Sequence, residues 1–84
     1  MIRLAIADDH QSLLDGIVLH MKYEEDIDFI GTAINGRALV DLVKEKQPHV
    51  VITDIRMPIL DGIGATREIL KVYPDTKVLA FSMF

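Results

Sequence analysis

The sequence predicts an α/β fold, a doubly wound parallel sheet with helices on both faces, and two observations carry that expectation. Four short apolar runs, rich in β-branched residues, alternate with three segments whose apolar residues recur at helical spacing. Two of those runs, Ile2–Ala7 and Val50–Thr53, stop abruptly on aspartates, as buried parallel strands do where they leave the carboxyl edge of a sheet. Strands joined through helices of about 10–12 residues imply right-handed crossovers and therefore parallel pairing.

Taken in order, Ile2-Arg3-Leu4-Ala5-Ile6-Ala7 reads as a first strand, buried on both faces. Leu13, Leu14, Ile17, Val18 and Met21 then form one apolar stripe, giving a helix over residues 12–21 for which Ser12-x-x-Asp15 offers a capping box. Residues 26–34 alternate loosely but are β-branched and aromatic, and Asn35-Gly36 ends them in a turn, as suits an edge strand. Leu39, Val40, Leu42 and Val43 mark a second helix over residues 37–46, stopped before Pro48. Val50-Val51-Ile52-Thr53 is the clearest strand and reads as central. After the Asp61-Gly62 turn, Ile63, Thr66, Ile69, Leu70 and Tyr73 define a third helix that Pro74-Asp75 ends, and Lys77-Val78-Leu79-Ala80-Phe81 reads as a fourth strand.

Composition narrows the function. With 84 residues the chain makes one domain at most. The absence of cysteine excludes disulfide staples, thiolate metal sites and cysteine nucleophiles together. No apolar run approaches the roughly 18 residues that cross a bilayer, and the first residues are too short an apolar run for a signal peptide, so the expected location is the cytoplasm. Nine Lys and Arg against 13 Asp and Glu give a net charge of -4, with no basic cluster to grip nucleic-acid phosphates.

The chemistry lies at the strand ends. Asp8 and Asp9 follow the first strand and Asp54 closes the third, so if those strands are neighbours, three carboxylates meet in one cleft. Clustered carboxylates call for a raised pKa on one member or for a cation, and an all-oxygen donor set suits Mg²⁺. An aspartate pair after a strand is often only a turn or helix cap. Asp54 shifts the balance, because a carboxylate fixed by a rigid strand beside Mg²⁺ is a competent nucleophile toward phosphorus.

Asp8-Asp9-His10, Asn35-Gly36, the run Asp54-Ile55-Arg56-Met57-Pro58-Ile59-Leu60-Asp61-Gly62 and Ser82 after the fourth strand together resemble the receiver domain of a bacterial two-component response regulator. The likeness covers the whole chain, and Asp-Asp-His with the Ser82-Met83-Phe84 ending is more similar to the NarL/FixJ subfamily. The resemblance implies a flavodoxin-like sheet of order 2-1-3-4-5. It implies that Asp54 accepts a phosphoryl group from a phosphohistidine on a sensor histidine kinase. Asp8, Asp9 and the main-chain carbonyl of Arg56 would then hold Mg²⁺ together with Asp54, Ser82 would supply the switch hydroxyl, and Pro58 and Gly62 would shape the loop. The module would be a phosphoacceptor rather than an enzyme, controlling a transcriptional output domain that alone would touch DNA. The family's lysine on a fifth strand has no counterpart before Phe84, so residues 1–84 are expected to form about the first two thirds of a receiver. Strand 4 would then be an edge through which copies associate.

Two other readings use the same residues. A Mg²⁺-dependent phosphatase or phosphotransferase also uses a strand-end aspartate, but it places a second aspartate two residues on as general acid, where this chain has Arg56. An interaction-only pseudo-receiver would keep the fold without the chemistry; intact Asp8, Asp9, Asp54 and Ser82 argue against that degeneration. His10 could ligate metal or donate a proton, but beside an acidic pair it reads first as a loop residue that orients the turn, and His20 and His49 read as surface residues. Arg37, Lys44, Lys46, Arg67 and Lys71 read as solvated helix faces.

Overall fold

A computed structural model describes residues 1–81. Four strands, β1 (Ile2–Ala7), β2 (Ile27–Ala33), β3 (Val50–Asp54) and β4 (Lys77–Phe81), alternate with helices α1 (Gln11–Met21), α2 (Gly36–Lys46) and α3 (Gly62–Val72). The strands form one parallel sheet in the order β2-β1-β3-β4. The chain steps from β1 outward to β2, then returns across β1 to β3, so the strand order reverses beside β1. Such a reversal opens a crevice beyond the carboxyl ends of the strands.

Alternation along β1 builds two cores. Leu4 and Ile6 face α1 and pack with Leu14, Ile17, Met21, Phe29 and Ile52. Ala5 and Ala7 point to the other face, where they meet Leu39, Val40 and Val43 of α2 and Ala65 and Ile69 of α3. Small alanines on that side let two helices approach the sheet together. Arg37 of α2 donates through both terminal nitrogens to Glu68 of α3, at 3.1 and 2.9 Å. That hydrogen bond, with the Arg37 charge, holds the Glu68 carboxyl below its usual range. The contact therefore supports the fold above the ordinary Glu titration and is lost as pH falls through the lowered value. The solvated-face reading of Arg37 is thus incomplete. His49 is exposed, as expected, yet its Nδ1 accepts from the Arg3 amide at 2.9 Å and its own amide donates to the Arg3 carbonyl.

The helix starts show where local signals decide and where they do not. Asn35 caps α2 by accepting from the Ala38 amide at 2.7 Å, and Asp61 caps α3 by accepting from the Gly64 amide at 2.7 Å. The capping box at Ser12 does not form. The N-cap of α1 is His10, without a side-chain capping bond, and Asp15 instead accepts from Gln11 Nε2 at 2.9 Å. The helix starts early because the Asp8 carboxylate accepts the His10 amide and turns the chain there.

The loop from Ile55 to Asp61 is held at both ends by backbone. The Gly36 amide donates to the Leu60 carbonyl at 2.8 Å, and the Gly62 amide donates to the Ile55 carbonyl at 2.8 Å. A β-carbon on Gly36 would stand 2.0 Å from the Leu60 oxygen, and one on Gly62 would stand 2.2 Å from the Asp54 oxygen. Between these clamps Ile59 adopts φ +72°, and the Leu60 amide bonds back to the Pro58 carbonyl at 2.8 Å across it. Gly36→Ala is expected to destabilise the fold by about 3 kcal/mol or more, since backbone rather than a flexible side chain must move. Urea unfolding of the two forms measures it; a loss under about 1 kcal/mol would mean that the clamp yields freely.

Candidate functional site

The β1–β3 register places the site. Ala7 lies opposite Thr53, so the next residues, Asp8 and Asp54, leave adjacent strands side by side. Both are enclosed, Asp8 at 0% and Asp54 at 3% exposure, while Asp9 turns outward. Each buried carboxylate is anchored by the amide two residues on: Asp8 Oδ1 accepts from His10 at 2.9 Å, and Asp54 Oδ1 accepts from Arg56 at 3.3 Å. These turns fix one oxygen of each aspartate against its loop.

His10 completes the cluster. Its Nδ1 lies 2.7 Å from Asp8 Oδ1 and 3.1 Å from Asp9 Oδ1. The hydrogen bond to Asp8, followed by the charge of Asp9, raises the His10 pKa above its ordinary value. Ligand atoms of Asp8, Asp9, His10 and Asp54 lie within 4.8 Å of one another. Among the described residues this is the group of acidic and histidine side chains able to hold a metal ion. Beside it opens a cleft of about 600 Å³ lined by Asp9, Ile55, Arg56, Met57, Pro58 and Asp61. Another cleft, of about 500 Å³, lies at the amino ends of the strands near Pro48 and Tyr73, far from the carboxylates.

Of the residues singled out in the sequence, Asp8, Asp9 and Asp54 are thus brought together, and Arg56 stands exposed at the mouth, two residues past Asp54. Pro58 is exposed in the loop, and buried Gly62 begins α3 against the Asp54 carbonyl. Ser82, with Met83 and Phe84, lies outside the described residues. The sequence reading missed how closely His10 joins the carboxylates; its place directly after Asp8-Asp9 was the available signal.

Residues 4–84 match the family model for the response regulator receiver domain. The chain belongs to that family. It is 35% identical over 82 residues to the transcriptional regulatory protein DegU of Brevibacillus brevis, a match covering 98% of this chain and 35% of that protein. It is 36% identical over 84 residues to the transcriptional regulatory protein LnrK of Bacillus subtilis, covering 100% of this chain and 38% of that one. The signal receiver domain of the response regulator NarL from Mycobacterium tuberculosis superposes with a TM-score of 0.83 at 29% identity, over 96% of this chain and 65% of that one. The chain therefore spans little more than a third of the length of these curated relatives. The likeness to NarL-type regulators expected from Asp-Asp-His is borne out, as are the parallel sheet and the expected order of its first four strands.

Receivers bind Mg²⁺ at an acidic pocket, and the residues of this one fit it. Among the described residues Asp8 Oδ2 is buried with no hydrogen-bond partner, an arrangement that costs about 1–3 kcal/mol or more unless something of opposite charge meets it. Asp8→Asn removes that charge from beside Asp54. Without metal the variant is expected to be more stable by roughly 1–2 kcal/mol, about 4–8 °C per kcal/mol in a chain of this size. The wild type alone should gain stability with Mg²⁺, by about 2.7 kcal/mol at a hundred times the dissociation constant. Melting curves with and without Mg²⁺ test both; an equal response in the two proteins would remove Asp8 from the site.

Proposed function

We propose that this receiver is the phosphoacceptor of a two-component phosphorelay, and that Asp54 takes the phosphoryl group from a phosphohistidine of a sensor histidine kinase. The observation that supports it most is the placing of the Asp54 carboxylate, 3% exposed at the end of a rigid strand, next to Asp8 and beside an open cleft. Asp8, Asp9, Asp54 and the main-chain carbonyl of Arg56 are the groups assigned to Mg²⁺. That ion would supply charge neutralisation between carboxylates and phosphoryl oxygens that otherwise repel. An Asp54 oxygen forms the new P–O bond as the P–N bond to the donor imidazole breaks, and the imidazole nitrogen keeps the electron pair. The amide of Arg56 keeps the carboxylate oriented throughout.

Ser82 is assigned the hydroxyl that bonds the transferred phosphoryl group, turning a local change of charge into a loop movement. Residues 1–84 would make up the first two thirds of the receiver, working in the cytoplasm as an acceptor rather than as an enzyme. The output would be transcriptional, with DNA bound by another domain, in keeping with the regulators it resembles. Among the described residues no helix is long and apolar enough to cross a membrane. Arg56 occupies the position where a phosphatase of related chemistry would carry its general acid, which favours the acceptor reading. With acetyl phosphate and Mg²⁺ the mass is expected to rise by one phosphoryl group in the wild type and not in Asp54→Asn. A gain that survives Asp54→Asn, or that ignores a chelator, overturns the assignment.

The same reading includes self-association through β4. Among the described strands β4 pairs only with β3, and Leu79 on it is 60% exposed. Val78-Leu79-Ala80-Phe81 carries no charge or proline to discourage pairing. The 84-residue chain is expected to form dimers or larger species at micromolar concentration, and Leu79→Lys to shift them toward monomer. Light scattering that shows a strictly monomeric folded chain refutes this.

A further inference from the structure

The start of α2 sets Asn35 beside Gly36 for two separate reasons. Asn35 caps the helix by accepting from the Ala38 amide at 2.7 Å, and Gly36 has no room for a β-carbon because the Leu60 carbonyl fills that place. Asparagine followed by glycine is also the pair most open to deamidation. With no side chain on the glycine, its amide nitrogen can reach the carboxamide carbon of the asparagine and close a succinimide ring. The fold restrains that reaction here. The Gly36 amide donates to the Leu60 carbonyl at 2.8 Å, Ala38 holds the Asn35 oxygen, and ψ 167° at Asn35 turns the Gly36 nitrogen away from the position in which the ring closes. The loop that supplies the Leu60 carbonyl is itself strained, with Ile59 at φ +72°. Asp61-Gly62 has the same kind of cap and clamp, but the Asp61 side chain is a carboxylate, a poorer electrophile with no ammonia to lose.

We propose that Asn35, the only asparagine in the chain, is a deamidation site gated by the Leu60 clamp. When the loop opens, the Gly36 nitrogen gives up its proton and bonds to Asn35 Cγ, ammonia leaves, and water then opens the ring. Hydrolysis at the side-chain carbonyl gives aspartate, which still caps α2. Hydrolysis at the main-chain carbonyl gives isoaspartate, whose extra backbone carbon displaces Gly36 from Leu60 and frees the lip of the cleft from α2.

The chain is incubated at mildly alkaline pH in native buffer, in denaturant below the unfolding transition, and fully unfolded. Peptide mapping by mass spectrometry follows residue 35, and Asn35→Ser, which keeps a favoured cap, is the control without an amide. Native deamidation should be measurable, about tenfold or more slower than in the unfolded chain, and flat across the low denaturant range, as local opening is. Ile59→Gly removes the strain at positive φ, so it should slow the native reaction by roughly threefold or more, and hydrogen exchange of the Gly36 amide should slow with it. Equal native and unfolded rates overturn the proposal, because the clamp then protects nothing. A native rate that rises only with the globally unfolded fraction, or no native product at all, also overturns it, because the loop then does not open by itself. So does a rate that Ile59→Gly leaves unchanged or raises, since the strained loop is then not the gate.

Discussion

The parallel register of β1 and β3 is the constraint on which the rest depends. With Ala7 opposite Thr53, both strands end at the same level, and each delivers an aspartate there. A slip of one residue would send Asp8 or Asp54 to the other face of the sheet, into an apolar layer. Alternation on β1 resists that slip, because Leu4 and Ile6 fill one core while Ala5 and Ala7 leave room for two helices in the other. Hydrophobic packing thereby fixes the place of a charged site to which it contributes no ligand.

Bringing buried carboxylates together opposes folding, and the surroundings offset it locally. The amides of His10 and Arg56 each donate to one carboxylate oxygen, and the His10 ring spans Asp8 and Asp9. What remains is Asp8 Oδ2, with no hydrogen-bond partner among the described residues. A site that satisfies itself fully would gain nothing from a cation. This one keeps an unmet negative charge, and the binding energy of an ion is the natural complement to it.

The loop beyond Asp54 stores a second kind of tension. Ile59 is β-branched, 81% exposed and held at positive φ, a conformation that costs about 1–2 kcal/mol for such a residue. Clamps at Gly36 and Gly62 make it sustainable, since each brings two backbones closer than any β-carbon would allow. The Leu60 carbonyl ties the loop to the start of α2, so the lip of the cleft and a core helix form one mechanical unit. Strain of this sort collects at functional loops.

Much of this was legible along the chain. The alternation of strands and helices needs only periodicity. Asn35-Gly36 and Asp61-Gly62 were legible as turns, and in the structure each side chain also caps the helix that follows by bonding an amide three residues on. Asp8, Asp9 and Asp54 stood out because a charge at the end of an apolar strand has few places to go. The capping box at Ser12 failed because a turn made by Asp8 started the helix sooner, a competition between two local signals that residue types alone do not rank. Other features required the folded chain: the Arg37–Glu68 pair joins residues 31 apart, and the Arg3 amide meets His49 across 46. Gly36 is glycine because the Leu60 carbonyl arrives where its β-carbon would be. The sequence by itself determined which residues are strand, helix and carboxylate, since those choices rest on neighbours within a few positions. Only the tertiary structure decided which strands lie side by side and which backbones touch, because those contacts arise from packing between segments that sequence distance does not relate.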